Sequence, residues 1–266
     1  MGNSSVRDGY KFLNKRMNFF YEFNLSIRYY FKAFAFVREH KLWWFLVIPA
    51  LLNLLAFVFV LYLSWMYSGD LINYFIDKWG FETEYSWLLW LQILISFVIR
   101  LIVILLYIKL FRYIILIFFA PMLAFVSDKV QEISTNKSRP FSIIQFTRDI
   151  YRGMAIAIRN LILEFLITLA ILGFSIAVPI IAILAPFLIF AVESYFYGFA
   201  MIDYRNEYKG INAKESRRLI KHHRGIAFGN GVMFNITLLI PFVGVMFTPV
   251  IAVIAAGLAI NVVDEQ

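Results

Sequence analysis

The chain has no cysteine in its 266 residues, which excludes disulfides, thiolate metal sites and cysteine nucleophiles together. Charge is scarce too: 16% of residues are Asp, Glu, Lys or Arg, against 62% hydrophobic and 19% aromatic. A soluble domain carries about a quarter charged residues and cannot bury so much apolar surface. Short alternating apolar runs are missing, which argues against an outer-membrane barrel. No glycine-rich phosphate loop of the Walker type occurs, and no hydrolase signature. The first forty residues lack a short apolar core followed by a cleavage site, so no removable leader is expected. The absences point away from an enzyme and away from any cofactor or metal site. They leave an all-α integral membrane protein.

What is present is four long apolar blocks. Residues 42–67 make a first span of about 39 Å at 1.5 Å per residue, enough to cross a bilayer with tilt. Residues 87–126 hold a second span and its continuation, interrupted by Arg100, Lys109 and Arg112, with a break at Ala120-Pro121. The third and fourth blocks, 161–202 and 226–263, share one plan: VPIIAILAP lies within the first and IPFVGVMFTP within the second. The basic net charge of +8 sorts the connections. Segments 1–41, 127–160 and 203–225 are rich in Lys and Arg and belong in the cytoplasm, whereas 68–86 carries Asp70, Asp77, Glu82 and Glu84 and faces outside. Each of the last two blocks therefore leaves and returns on one side, as a helical hairpin, and both termini are cytoplasmic.

The limbs read from the sequence are short. Leu161 to Val178, Pro186 to Ile202 and Ile226 to Ile240 have about 15 to 18 residues, less than a 30 Å core requires, and the turns between limbs offer nothing polar. The reading is two long transmembrane helices plus two half-inserted, re-entrant hairpins within a single membrane domain. Their irregular tips need cover from protein, hence a homo-oligomer; two full-length helix pairs with tight apolar turns are the alternative. Tyr21 to Val37 is too polar to span and reads as an interfacial helix in contact with membrane lipids. Asn212 to Arg224 reads as a short basic helix with Asn212 as N-cap, Glu215 as capping-box partner and Gly225 as stop.

Several strings carry a resemblance: FLVIPALLN (45–53), FFAPMLAFVSDKVQE (118–132), IDYRNEYKGINAKESRRLIKHHRGIAFGNG (202–231) and LLIPFVGVMFTPVIAVIAA (238–256). In order and spacing the chain resembles the family of CysZ-type sulfate permeases and etoposide-induced-like membrane proteins, from about residue 20 onward. The resemblance implies two spanning helices and two half-inserted hairpins in an oligomer of the bacterial inner membrane, moving sulfate inward. It also implies an anion site at the start of the first span, where the permeases carry a Gly-Leu-Arg-Arg type string. Aligned on Pro49, this chain has Lys41, Leu42, Trp43 and Trp44 there. Arg38, His40 and Lys41 just before can rebuild a positive rim, while Trp43 and Trp44 suit an interfacial aromatic belt.

Arg100, near the middle of the second span, calls for a buried partner or an aqueous path. Glu164 and Glu193 are its candidate partners, and the group reads either as an anion or proton route or as a structural ion pair; an Arg snorkelling to the interface is the third reading. Asn53, one turn past Pro49, reads as a clamp on a carbonyl freed by the proline. His222 and His223 have no carboxylate at ligand spacing and read as a solvated or lipid-facing pair. Arg217 to Arg224 reads as a topology signal meeting anionic headgroups, with no nucleic-acid role. The functional expectation is a sulfate-permease-like carrier or channel for a small inorganic anion such as sulfate. A non-transporting membrane scaffold or membrane-shaping protein is the alternative.

Overall fold

The computed structural model describes residues 18–44, 120–136, 142–240 and 243–264, with single positions at 47, 51, 54, 55, 58, 59, 62, 66 and 94. The chain forms two compact units, residues 1–50 with 116–266, and residues 51–115. Most of the second unit lies outside the described residues. Its described positions are helical, and Leu51, Leu55, Phe59, Tyr62 and Met66 share one exposed apolar face. In the first unit the described residues are helical with short turns: α1 (Phe19–Glu39), α2 (Ala120–Thr135), α3 (Ile143–Ala177), α4 (Pro179–Tyr208), α5 (Ala213–His222), α6 (Arg224–Leu238) and α7 (Val243–Asp264). Among the described residues, three helical stretches are long and apolar enough to cross a membrane: Tyr151–Ala177, Pro179–Tyr208 and Phe247–Asp264.

Hydrophobicity all round a helix marks a core helix, and α7 is one: Val250 through Ala256 are buried without a break. Around it pack α1, α2, α4 and α6. Helix α6 fits between α1 and α4 through glycines. A side chain at Gly225 would meet the Phe19 backbone at 2.5 Å and Glu22 Cβ at 2.6 Å, and one at Gly229 would meet Phe23 O and Ser26 Cβ at 2.9 Å. On the other face a Cβ at Gly231 would lie 1.6 Å from Ser194 O, and one at Gly198 of α4 would lie 1.7 Å from Ala227 O. Gly225 with Gly229, Ala227 with Gly231, and Ser194 with Gly198 are three pairs of small residues four apart, the spacing that lets helix backbones touch. The pairings set direction. Helix α1 runs parallel to α6, Tyr30 reaching Thr237, and α4 runs antiparallel to it.

The first hairpin departs from the limb boundaries read in the sequence. Its break is one residue wide: α3 ends at Ala177, Val178 is extended, and α4 begins at Pro179. Proline at the first helical position forfeits no bond, because that N–H has no intrahelical acceptor. The Val178 N–H closes α3 on Phe174 O at 2.9 Å, and Val178 O receives Ile181 N at 2.9 Å. Little backbone is freed, so no polar side chain is needed. Pro186 is inside α4 rather than at its start. Much of the segment 127–160 is helical, as the end of α2 and the beginning of α3. In the second hairpin α6 has 15 residues, about 22 Å, short of a bilayer core.

Register fixes which tip protrudes. With Gly231 beside Ser194, the end of α6 at Leu238 comes level with about Phe187 of the antiparallel α4. Pro179 to Pro186 then projects roughly 12 Å beyond it. That tip is apolar and bare: Ile176 is 90% exposed and Phe187 73%.

Candidate functional site

The C-terminal end of α1 gathers three of the cationic residues singled out in the sequence. Leu42 N–H bonds Val37 O at 3.0 Å and Lys41 N–H bonds Arg38 O at 3.4 Å, a Schellman closure with Lys41 in the left-handed C′ position at φ 55°. Glycine holds that conformation freely, whereas a side chain costs about 1 kcal/mol. Leu42 is buried and completes the motif's apolar contact. Helical conformation resumes at Trp43 and Trp44, so the rim stands between one helix's closing carbonyls and another's opening N–H groups. Arg38 and Lys41 are exposed and, among the described residues, have no carboxylate partner. His40 is committed elsewhere: its Nδ1 bonds Phe36 O at 3.0 Å and its ring lies 4.2 Å from that of Phe36. The positive rim is therefore Arg38 and Lys41, with His40 as part of the cap.

Arg100 and Asn53 lie outside the described residues. Glu164 of α3 is fully buried and Glu193 of α4 is half-buried.

A second polar constellation was invisible to sequence reading because its members are far apart in the chain. Arg205 of α4 has no exposed surface. Its Nε donates to Asn261 Oδ1 at 2.9 Å, its Nη1 to Asn206 Oδ1 at 3.1 Å and its Nη2 to Asp264 of α7. Asp264 also accepts from Lys209 Nζ at 3.2 Å, and Asn261 Nδ2 donates to Gln131 Oε1 of α2 at 2.9 Å. On the other side Asn206 Nδ2 donates to Ser216 Oγ of α5 at 2.9 Å, and Ser216 donates to Asp203. Asp203 takes a further bond from Arg152 Nη2 of α3 at 3.1 Å. One continuous network thus joins α2, α3, α4, α5 and α7. Burying a guanidinium is tolerable only when protein groups replace its water, as here. The two strings that best carried the family resemblance, the Ala-Pro helix with Gln131 and the Asp-Tyr string with Arg205, meet in it.

Asn212 caps α5 as expected, accepting from Lys214 N at 3.1 Å and Glu215 N at 2.9 Å. Two neighbouring expectations are corrected. Helix α5 ends at His222, capped by His223, and Gly225 is inside α6. His223 is not solvated but buried, and its Nδ1 donates to Glu22 Oε1 at 2.7 Å while Gly225 N–H donates to Glu22 Oε2 at 3.0 Å. The carboxylate that no local spacing offered comes from α1, 201 residues away. It lies at the N-terminus of α6, where free N–H groups and the helix dipole favour an anion.

Among curated proteins none matches the chain. Residues 29–249 match the family described as sulfate transporter CysZ/etoposide-induced protein 2.4. That stretch spans α1 from Tyr29 through the opening of α7, and takes in the rim, both hairpin turns and most of the buried network. With most of its length matched, the chain belongs to the sulfate transporter CysZ/etoposide-induced protein 2.4 family.

Proposed function

We propose that the protein carries a small inorganic anion, sulfate foremost, across the bacterial inner membrane as an oligomer of this chain, with both termini in the cytoplasm. The observation that carries the reading is membership, over 29–249, of the sulfate transporter CysZ/etoposide-induced protein 2.4 family. Partial insertion of the hairpins is part of the proposal, and the pairing of α1 with α6 supports it. Exposed Asn24, Arg28, Lys32 and Glu39 run the length of α1 opposite its buried face. With Phe20, Phe31 and Phe34 exposed beside that polar row, the helix suits the membrane interface. Helix α6, packed lengthwise on its underside and about 22 Å long, then stays within one leaflet.

Arg38 and Lys41 form the anion rim in this reading, with the N–H groups at Trp43 and Trp44 beside it. Arg100 is the further path candidate in this reading, with Asn53, Glu164 and Glu193 as the other polar candidates. A second reading, a membrane-shaping scaffold, draws on the bare apolar tip of the first hairpin, which would wedge one leaflet. Uptake of labelled sulfate by liposomes holding the purified protein separates the two. Uptake well above empty vesicles, cut about tenfold by Arg38→Gln with Lys41→Gln, is expected. Uptake equal to that of empty vesicles, for sulfate and other oxyanions alike, discards transport.

A further inference from the structure

Beside the rim lies a cavity of about 180 Å³, lined by Phe34, Trp43, Ile240, Phe247 and Ile251, with Tyr30, Thr237 and Thr248 among its other walls. Its surface is almost all carbon. The hydroxyl groups are spent on the protein: Tyr30 Oη and Thr237 Oγ1 are 2.8 Å apart, and Thr237 Oγ1 donates to Met233 O at 2.7 Å. A polar ligand would find few partners inside. The volume is about six times a water's share of the liquid, room for a length of hydrocarbon chain. The mouth is open, with Phe34 and Trp43 about half exposed.

Charge identifies what such a chain is attached to. Arg38 is one helical turn beyond Phe34 on the same side of α1, and Lys41 is two residues before Trp43. Both cations are exposed and without a carboxylate partner among the described residues. Lys41 keeps a left-handed position that glycine fills more easily. An apolar slot next to two exposed cations that have no carboxylate partner among the described residues matches one molecule: a phospholipid with an anionic headgroup.

We propose that this corner is a binding site for an anionic phospholipid of the cytoplasmic leaflet, its phosphate on Arg38 and Lys41 and part of an acyl chain between Phe34, Trp43 and Phe247. The lipid would close the joint between α1, the turn of the second hairpin and the start of the first span. The assignment goes beyond the transport reading and competes with it for Arg38 and Lys41 alone, giving them to a lipid phosphate in place of the transported ion; a protein that moves no sulfate can hold this lipid.

The test places the full-length protein in phosphatidylcholine vesicles with a trace of phosphatidylglycerol, or of phosphatidylcholine, bearing a photoreactive acyl chain, and maps crosslinks by peptide mass spectrometry. The anionic probe is expected to label the peptides holding Phe34, Trp43 and Phe247 at least tenfold more than the zwitterionic one. Arg38→Gln and Lys41→Gln should each lower that preference about fivefold. Thr248→Phe, which fills the slot, should abolish labelling there while leaving labelling of the first hairpin's tip intact. Trp43→Ala, at an exposed position that does not threaten folding, should weaken it in the same way. Equal labelling by the two probes, or labelling indifferent to Thr248→Phe and Trp43→Ala, overturns the proposal. So does displacement of the anionic probe by millimolar inorganic sulfate, which would return both cations to the transported ion.

Discussion

A guanidinium without solvent survives in a fold only while every direction of its donor fork is answered. Arg205 is answered by Asn261, Asn206 and Asp264. Removing one partner of such a buried pair costs about 3–5 kcal/mol, because the other charge is left uncompensated. Arg205→Met is therefore expected to lower the melting temperature in detergent sharply, and adding Asp264→Leu should recover much of the loss. A double variant no more stable than the single one would show that the pair is not the keystone of the network. In the sequence Arg205 reads as one more positive residue of a cytoplasmic segment. Composition shows that a cation is there; only the neighbours from α2 and α7 show that it is buried. His223 teaches the same lesson, since its carboxylate comes from the first helix and not from its own.

Helices in lipid gain little from burying apolar faces, so their association depends on close approach and on polar bonds. The contrast between Gly231 and Gly173 measures this. A Cβ at Gly231 would lie 1.6 Å from a backbone oxygen of α4, which cannot move alone, whereas one at Gly173 meets nothing within 4 Å. Gly231→Ala is expected to cost several kcal/mol or prevent folding, and Gly173→Ala to be neutral or slightly stabilising; thermal melts of the two purified variants check it. Similar melting temperatures would refute the contact of α4 with α6. Element existence and type were legible from apolar blocks and from Asn212, a cap that acts within three residues. The glycines at 225, 229 and 231 carry no phosphate chemistry in the sequence. Their spacing of four, and that of Ala227 with Gly231, was the available signal of helix packing. The width of the first hairpin's break was misread because two prolines look alike in sequence. One opens α4 at no cost and the other is held inside it by the rest of the helix.

At the scale of the whole molecule, the question is how deep the hairpins go. Both helices of the first hairpin are long enough to cross, whereas α6 of the second is not. The absence of native cysteine gives single-cysteine labelling no background. In the partial-insertion reading, Ile183→Cys at the bare tip reacts with a membrane-permeant maleimide and with no impermeant one, from either side. Lys214→Cys on α5, the control, reacts from the cytoplasmic side. Labelling of the Ile183 position from outside would show that the first hairpin crosses.

By itself the sequence determined the class of molecule, because 62% hydrophobic residues in long blocks can be solvated only by lipid and by one another. It also determined which connections are basic, the cap of α5 and the family strings, all of which are local. Tertiary structure alone decided that α1 lies along α6, that α7 is the buried centre, and that Gln131, Arg152, Arg205, Ser216 and Asn261 form one network. Those facts depend on which helix lies beside which. A helix pattern records the faces that must be covered but not the partner that covers them.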